Sequence, residues 1–222
     1  MSSGKTAGRA SPSSLVIRPL TPARFPDLER LFGPRGATGG CWCMHPRLTR
    51  PVYEAQKGEG NRKAFRRLVE RGTVPGILAY EGREPVGWCA IEPREAYPRL
   101  TRSRLFQPVD DQPAWAIVCL FVRADRRGRG VSRALIAGAM AHARRHGARL
   151  VEAYPVEPKG ARMPAVFAWT GIASAFRAQG FVEAARRSPT RPLMRVALGS
   201  PSRGRAHRPP HAKSVRPRAS GP

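Results

Sequence analysis

With 222 residues and 41% hydrophobic side chains, the chain can bury one ordinary core without needing a second domain. Its formal charge of +25, from 40 Lys and Arg against 15 Asp and Glu, favours anionic partners: nucleic acid, an anionic membrane surface, or a small cofactor with several phosphates. Four cysteines are too few for a disulfide scaffold and suit free thiols in a reducing compartment; with no apolar leader and no apolar run of bilayer length, the expected location is the cytoplasm, with no membrane partner.

Both ends differ from the middle. Residues 1–14 are Ser, Gly and Ala with Lys5 and Arg9, and residues 199–222 combine five prolines with six Lys and Arg and no acid. Both are expected to be disordered tails around one domain at 15–198. The domain keeps about +17 after the eight tail cations are removed, so the basic character is not confined to the tails. Dispersed Arg in place of Lys, Gln or Ser accounts equally for that excess, because the cations are mixed with acids.

From the N-terminal side, Leu15 to Leu20 reads as an extended run, and Thr21-Pro22 as the start of a helix from Ala23 to Phe32. Gly33 to Gly60 is rich in Gly and Pro yet contains Cys41-Trp42-Cys43-Met44-His45, which marks a long loop with buried side chains. Asn61 is placed as the cap of a helix to Arg71. Gly76–Tyr80 and Pro85–Glu92 form a hairpin around Gly82. Residues 95–112 carry no clear pattern. Trp115–Val122 reads as a strand buried on both faces, and Val131, Ala134, Leu135, Gly138, Ala139, His142 and Ala143 as one face of a helix ended by Gly147. A strand at Arg149–Tyr154, a helix at Pro164–Gln179, and strands at Phe181–Ala185 and Pro192–Leu198 complete the order β-α-α-β-β-β-α-β-α-β-β. The fold class is α/β: a single mixed sheet flanked by helices, without internal repeats.

The turn between the fourth strand and its helix reads Asp125-Arg126-Arg127-Gly128-Arg129-Gly130-Val131-Ser132-Arg133. Its glycines let the backbone approach a ligand, and unpaired amides at the positive end of the helix dipole suit a pyrophosphate. It lacks the Gly-Lys-Ser/Thr of an ATP-binding loop and the third glycine of a dinucleotide fingerprint. Taken alone, a tight turn that happens to be basic explains it equally well.

The surrounding order is more specific. The sequence resembles the GCN5-related N-acetyltransferase (GNAT) family, whose motif Gln/Arg-x-x-Gly-x-Gly/Ala is matched by Arg127, Gly130 and Ser132, the serine being a departure. Leu120-Phe121-Val122 precedes it, and Phe176-Arg-Ala-Gln-Gly180-Phe181 matches a later signature. The resemblance covers about Leu15 to Leu198 and implies a mostly antiparallel acyl-CoA N-acyltransferase fold. It also implies acetyl-CoA as co-substrate, with its pantetheine arm on Leu120, Phe121 and Val122 and its pyrophosphate at Arg127, Gly128, Arg129, Gly130, Val131, Ser132 and Arg133. The expected reaction is direct attack of a primary amine, from a small molecule or peptide, on the thioester.

Phe176 stands where the family often has a tyrosine that protonates the leaving thiolate. Ser174, Thr170 or Tyr154 then supplies the proton, or the thiolate leaves unassisted. Glu152, two residues from Tyr154 and on the same strand face, is the first candidate base, and Glu92 the second; a salt-bridged carboxylate is the plainer reading of each. Two thiols and an imidazole within Cys41–His45 invite a metal, but Cys89 and Cys119 lie singly on strands and supply no second ligand pair, so no metal is expected. The resemblance places the same loop at the acceptor side, while Trp169 reads as helical core or, if it faces the cleft, as apolar wall of the acceptor channel. The alternatives are a non-catalytic acyl-CoA-binding domain and a basic nucleic-acid-binding protein, the latter carried by weak tail contacts; a homodimer is compatible with the sequence.

Overall fold

The computed structural model describes residues 15–158 and 168–199. Both expected tails, apart from Gly199, and residues 164–167 of the expected Pro164–Gln179 helix lie outside them.

Among the described residues, seven strands form one sheet in the order β1-β2-β3-β4-β5-β7-β6: β1 (Leu15–Pro19), β2 (Gly76–Glu81), β3 (Glu84–Pro93), β4 (Trp115–Val122), β5 (Leu150–Ala153), β6 (Val182–Arg186) and β7 (Pro192–Ala197). Every neighbouring pair is antiparallel except β4 and β5. A parallel pair needs a crossover connection, which α5 (Val131–Arg145) supplies between β4 and β5. The β2–β3 hairpin turns at Gly82, whose φ of 62° lies in the left-handed region.

One face of the sheet packs on α1 (Phe25–Phe32) and α3 (Glu59–Glu70), with Leu28, Phe65, Trp88, Tyr97 and Val118 in that layer. The other packs on α5 and α6 (Ala173–Arg177) through Ile77, Ile91, Leu135, Ile136 and Phe176. Trp88 meets Phe65 and Phe32 edge to face at 6.0 and 6.3 Å, the arrangement their ring quadrupoles favour.

Local differences from the sequence reading have identifiable causes. Asn61 does not cap α3, which begins at Glu59; it is buried inside the helix and its amide donates to the Gly40 carbonyl at 3.1 Å, pinning the long loop. That loop contains a short helix, α2 (Arg50–Ala55), and the unpatterned 95–112 region contains another, α4 (Pro98–Arg102), each opened by a proline in its first turn. In the last expected helix, residues 168–171 form a turn, with Gly171 at φ 83°, and α6 starts only at Ala173.

The main departure concerns β4, which is well buried only in its first half. Pairing with β3 steps from Cys119↔Ala90 to Ile117↔Ile91, leaving Val118 as an extra residue, a β-bulge. Pairing with β5 stops at Ile117↔Ala153, and two residues later Pro155 has no amide to continue a ladder. The two strands therefore part, and Cys119, Phe121 and Val122 are only partly covered, while Leu120 stays buried.

At the other end of α5, His142 is 2% exposed, its Nε2 has no partner, and its ring lies 4.3 Å from that of His146 and 5.8 Å from Trp115. Burial first, then the nearby His146 and Arg145, holds its pKa down to about 4. The folded protein thus keeps His142 neutral while the unfolded chain takes up a proton below about pH 6.5. Its contribution to stability is complete above about pH 6.5 and is lost as pH falls toward 4. Urea unfolding at pH 7 and pH 4.5 should show a smaller acid loss for His142→Leu than for the parent; equal losses would remove His142 as a cause.

Candidate active site

The turn after β4 continues through a short helical turn (Ala124–Arg126) into α5, whose N-cap Gly130 is left-handed at φ 82° and offers no capping side chain. The amides of Val131, Ser132 and Arg133 in that first turn therefore have no intrahelical acceptor. A β-carbon at Gly128 or Gly130 would meet nothing within 4 Å, so open space lies above the turn. Arg123 and Arg126 engage Asp125, and Arg126 also engages Glu81 at 2.5 Å. Among the described residues, Arg127, Arg129 and Arg133 form no acid pair, and the Arg127 Nε donates to the Val122 carbonyl at 3.3 Å. The result is an uncapped helix terminus with glycine clearance and cations spare for an anion, the requirements of a pyrophosphate.

The gap between β4 and β5 begins beside this turn. It holds the segment 168–172: the Leu120 amide donates to the Trp169 carbonyl at 2.7 Å, the Val156 amide to the Gly171 carbonyl at 2.9 Å, and the Ala173 amide to the Val156 carbonyl at 2.9 Å. Val156 and Ile172 form a parallel bridge. Of the edge expected to receive a pantetheine arm, the Leu120 amide is thus taken by the chain itself. Trp169 is not a helical core residue but half-exposed in a turn, and its ring meets His45 edge to face at 5.5 Å.

The proposed catalytic residues separate. Glu152 and Tyr154 meet as their strand spacing requires, the Tyr154 hydroxyl donating to the carboxylate at 2.5 Å. Glu152, however, is fully buried, and both its oxygens are engaged: by Arg94 at 2.7 Å on one side and by its cross-strand partner Arg195 at 2.8 Å on the other. Arg195 also binds Asp110 at 2.6 Å, and Arg94 reaches the Phe106 carbonyl, so the cluster ties the 94–114 connection to β5 and β7. Burial and the adjacent carboxylate push the Tyr154 hydroxyl well above its usual pKa. A carboxylate with both oxygens occupied and no exposed surface is placed to hold the fold, not to meet an amine. Glu92 is likewise buried against Arg47. Ser174 is exposed on α6, apart from this cluster; Thr170 accepts from Arg191 at 2.9 Å; Phe176 is wholly buried against Phe181.

Sequence reasoning placed the Cys41–His45 loop at the acceptor side but did not single out His45. Its ring lies 5.2 Å from Tyr53 as well as beside Trp169. Burial, then Arg99, lowers its pKa, with Glu54 opposing, so it is a neutral imidazole at pH 7. The available signal was a histidine inside an apolar loop; its neighbours come from α2 and from the turn before α6. Among the described residues, no group of three His, Cys, Asp or Glu side chains could hold a metal ion, and no helix is long and apolar enough to cross a membrane.

Removing the Glu152 carboxylate leaves buried Arg94 without an acid partner and Arg195 with Asp110 alone, so Glu152→Ala should lower unfolding free energy by about 3–5 kcal/mol. Activity loss with an unchanged urea midpoint would instead restore Glu152 to the chemistry.

Known structures align with this chain. An acetyltransferase of the GNAT family from Listeria monocytogenes aligns at TM-score 0.50 and 13% identity, over 83% of this chain and 95% of that one. The PaiA N-acetyltransferase of Thermoplasma acidophilum, solved with coenzyme A, aligns at 0.49 and 12% over 83% and 99%. An acetyltransferase from Corynebacterium glutamicum aligns at 0.49 and 20% over 85% and 99%. No relative is found among curated proteins. The model of the acetyltransferase (GNAT) family matches residues 43–168, more than half of the chain and inclusive of the whole β4–turn–α5 unit, and the chain therefore belongs to the GNAT family.

Proposed function

We propose that the protein transfers an acetyl group from acetyl-CoA to a primary amine by direct attack, in the cytoplasm. The observation that carries this reading is the uncapped terminus of α5, with Gly128, Gly130 and the cations Arg127, Arg129 and Arg133, set beside the gap between β4 and β5. The amides of Val131, Ser132 and Arg133 would hold the pyrophosphate, and the Leu120–Val122 edge the pantetheine amides, in the manner of an added strand.

The Leu120 amide, which now holds a carbonyl oxygen at 2.7 Å, suits the thioester oxygen once residues 168–172 yield it. There it would stabilise the negative charge that develops on that oxygen as the carbonyl is attacked. His45, neutral and beside Trp169, takes the proton from the incoming ammonium. The amine nitrogen then bonds to the acyl carbon and the carbon–sulfur bond breaks. With Phe176 buried, the thiolate leaves without a tyrosine acid; a thiol pKa of about 8.5 makes that tolerable, and the second amine proton passes to solvent. Glu152 and Tyr154 hold the 94–114 connection to the sheet, and Ser174 supplies no proton.

Ser132→Asp places a carboxylate where the pyrophosphate should lie, while an acid in a first helical turn favours the helix. The parent should be stabilised by acetyl-CoA in thermal melts, and the variant should bind it at least about 10-fold more weakly by calorimetry with no loss of melting temperature. A parent melt unmoved by millimolar acetyl-CoA would remove the proposal. In a panel of amines followed by thiol release, His45→Asn should lower kcat by about 10²-fold or more at unchanged acetyl-CoA affinity and flatten the acid limb of the pH–rate profile. An unchanged kcat and profile would mean another base.

A further inference from the structure

The loop that carries His45 contains a thiol arrangement that this chemistry does not use. Trp42 and Cys43 adopt left-handed backbone angles, φ 46° and 54°, which non-glycine residues hold only where surrounding contacts enforce them. The consequence is local and specific. The Cys43 sulfur is buried and accepts the Trp88 indole N–H at 3.0 Å, and Cys119, a partly exposed residue of β4 that follows the Val118 bulge, packs against the same core layer. Arg47 adds a nearby positive charge. Cys41, partly buried, turns instead toward the Tyr53 hydroxyl, and Cys89 belongs to the opposite face of the sheet.

We propose that Cys43 and Cys119 form an oxidisable dithiol, a modification site whose substrate is a small hydroperoxide and whose product is a disulfide between the acceptor-side loop and β4. In the first step one thiolate of the pair attacks the terminal peroxide oxygen, the O–O bond breaks, and the leaving oxygen takes up a proton as water or alcohol. In the second, the other thiol attacks the resulting sulfenic sulfur, the S–O bond breaks, and water leaves as the S–S bond forms. The two cysteines lose two electrons and two protons in total, and the peroxide accepts them.

Three observations single out this pair among the four cysteines. The two side chains share one core layer, Cys119 standing opposite Ala90 in register on the sheet face that carries Trp88, the residue whose indole binds the Cys43 sulfur, so a bridge would join neighbours in the fold. Two donors and a cation face the Cys43 sulfur and favour its thiolate, which lowers its pKa against the opposing effect of burial. Cys41 and Cys43 are separated by a single residue, too close along the chain for an unstrained bridge, whereas Cys43 and Cys119 come from distant elements. The bridge would tie the segment bearing His45 to the residue next to Leu120.

The test is intact-mass and peptide mapping of the full chain after brief exposure to hydrogen peroxide, without denaturant. The expected result is a loss of about 2 Da and a Cys43–Cys119 cross-linked peptide, reversed by dithiothreitol, with Cys41 and Cys89 still open to alkylation after unfolding. Cys43→Ser and Cys119→Ala should each abolish the mass loss, while Cys41→Ser retains it. Because Cys43→Ser disturbs the Trp88 contact and could unfold the loop, Cys119→Ala provides the independent variant. A bridge to Cys41 or Cys89, oxidation of a single cysteine to sulfinic acid, or no change at peroxide levels that oxidise free cysteine would each overturn the proposal.

Discussion

The structure turns on the parting of β4 from β5. A parallel pair inside a sheet normally continues until one strand ends, because each unpaired amide and carbonyl left in the interior costs free energy. Here the pairing stops after three residues on each strand, for two local reasons: Val118 bulges out of the β3 ladder, and Pro155 cannot donate. Backbone groups of β4 that would have met β5 are left facing a gap, and the helix after β4 opens beside it. One unzipped edge and one uncapped helix terminus thus become neighbours through the connectivity of a single strand–turn–helix.

The chain does not leave that edge bare. Residues 168–172 cross the gap and bond to Leu120 on one side and Val156 on the other, much as an extended ligand would. Satisfying those groups internally avoids an interior cost of about 1–3 kcal/mol for each unmet donor. It also makes any ligand that uses the Leu120 amide a competitor of the protein's own backbone. Gly171 is central to this contact: a β-carbon there would lie 2.7 Å from the Phe176 ring and 2.8 Å from the Leu120 side chain. Phe176, which has no hydroxyl, packs against the same segment from below and is wholly buried.

Around the gap, charge is arranged by depth. The buried acids Glu152 and Glu92 are each held by guanidiniums, and Glu152 organises Arg94, Arg195 and Tyr154 into one cluster that fastens the 94–114 connection to the sheet. Such a cluster is costly to break, and it accounts for a share of the arginines without recourse to a polyanion. At the surface, by contrast, Arg127, Arg129 and Arg133 stand by the turn with no acid partner among the described residues. The same residue type stands in two settings, separated by whether a carboxylate lies within reach.

The sequence by itself determined the order of the seven strands, the hairpin at Gly82 and the β4–turn–α5 unit with its glycine-rich basic turn, because each depends on periodicity, glycine placement and short-range spacing; it left out α2 and α4, which lie in segments without a clear pattern. It also predicted that Glu152 and Tyr154 share a face, since alternation along a strand is a local property. Only the tertiary structure decided what those residues meet. Register placed Arg195 opposite Glu152, and the 94–114 connection delivered Arg94, converting a candidate base into the centre of an ion-pair cluster. The same holds for His45, Trp169, Cys43 and Cys119, whose partners come from distant segments: no spacing along the chain encodes a contact that forms only when a loop, a bulged strand and a turn pack together.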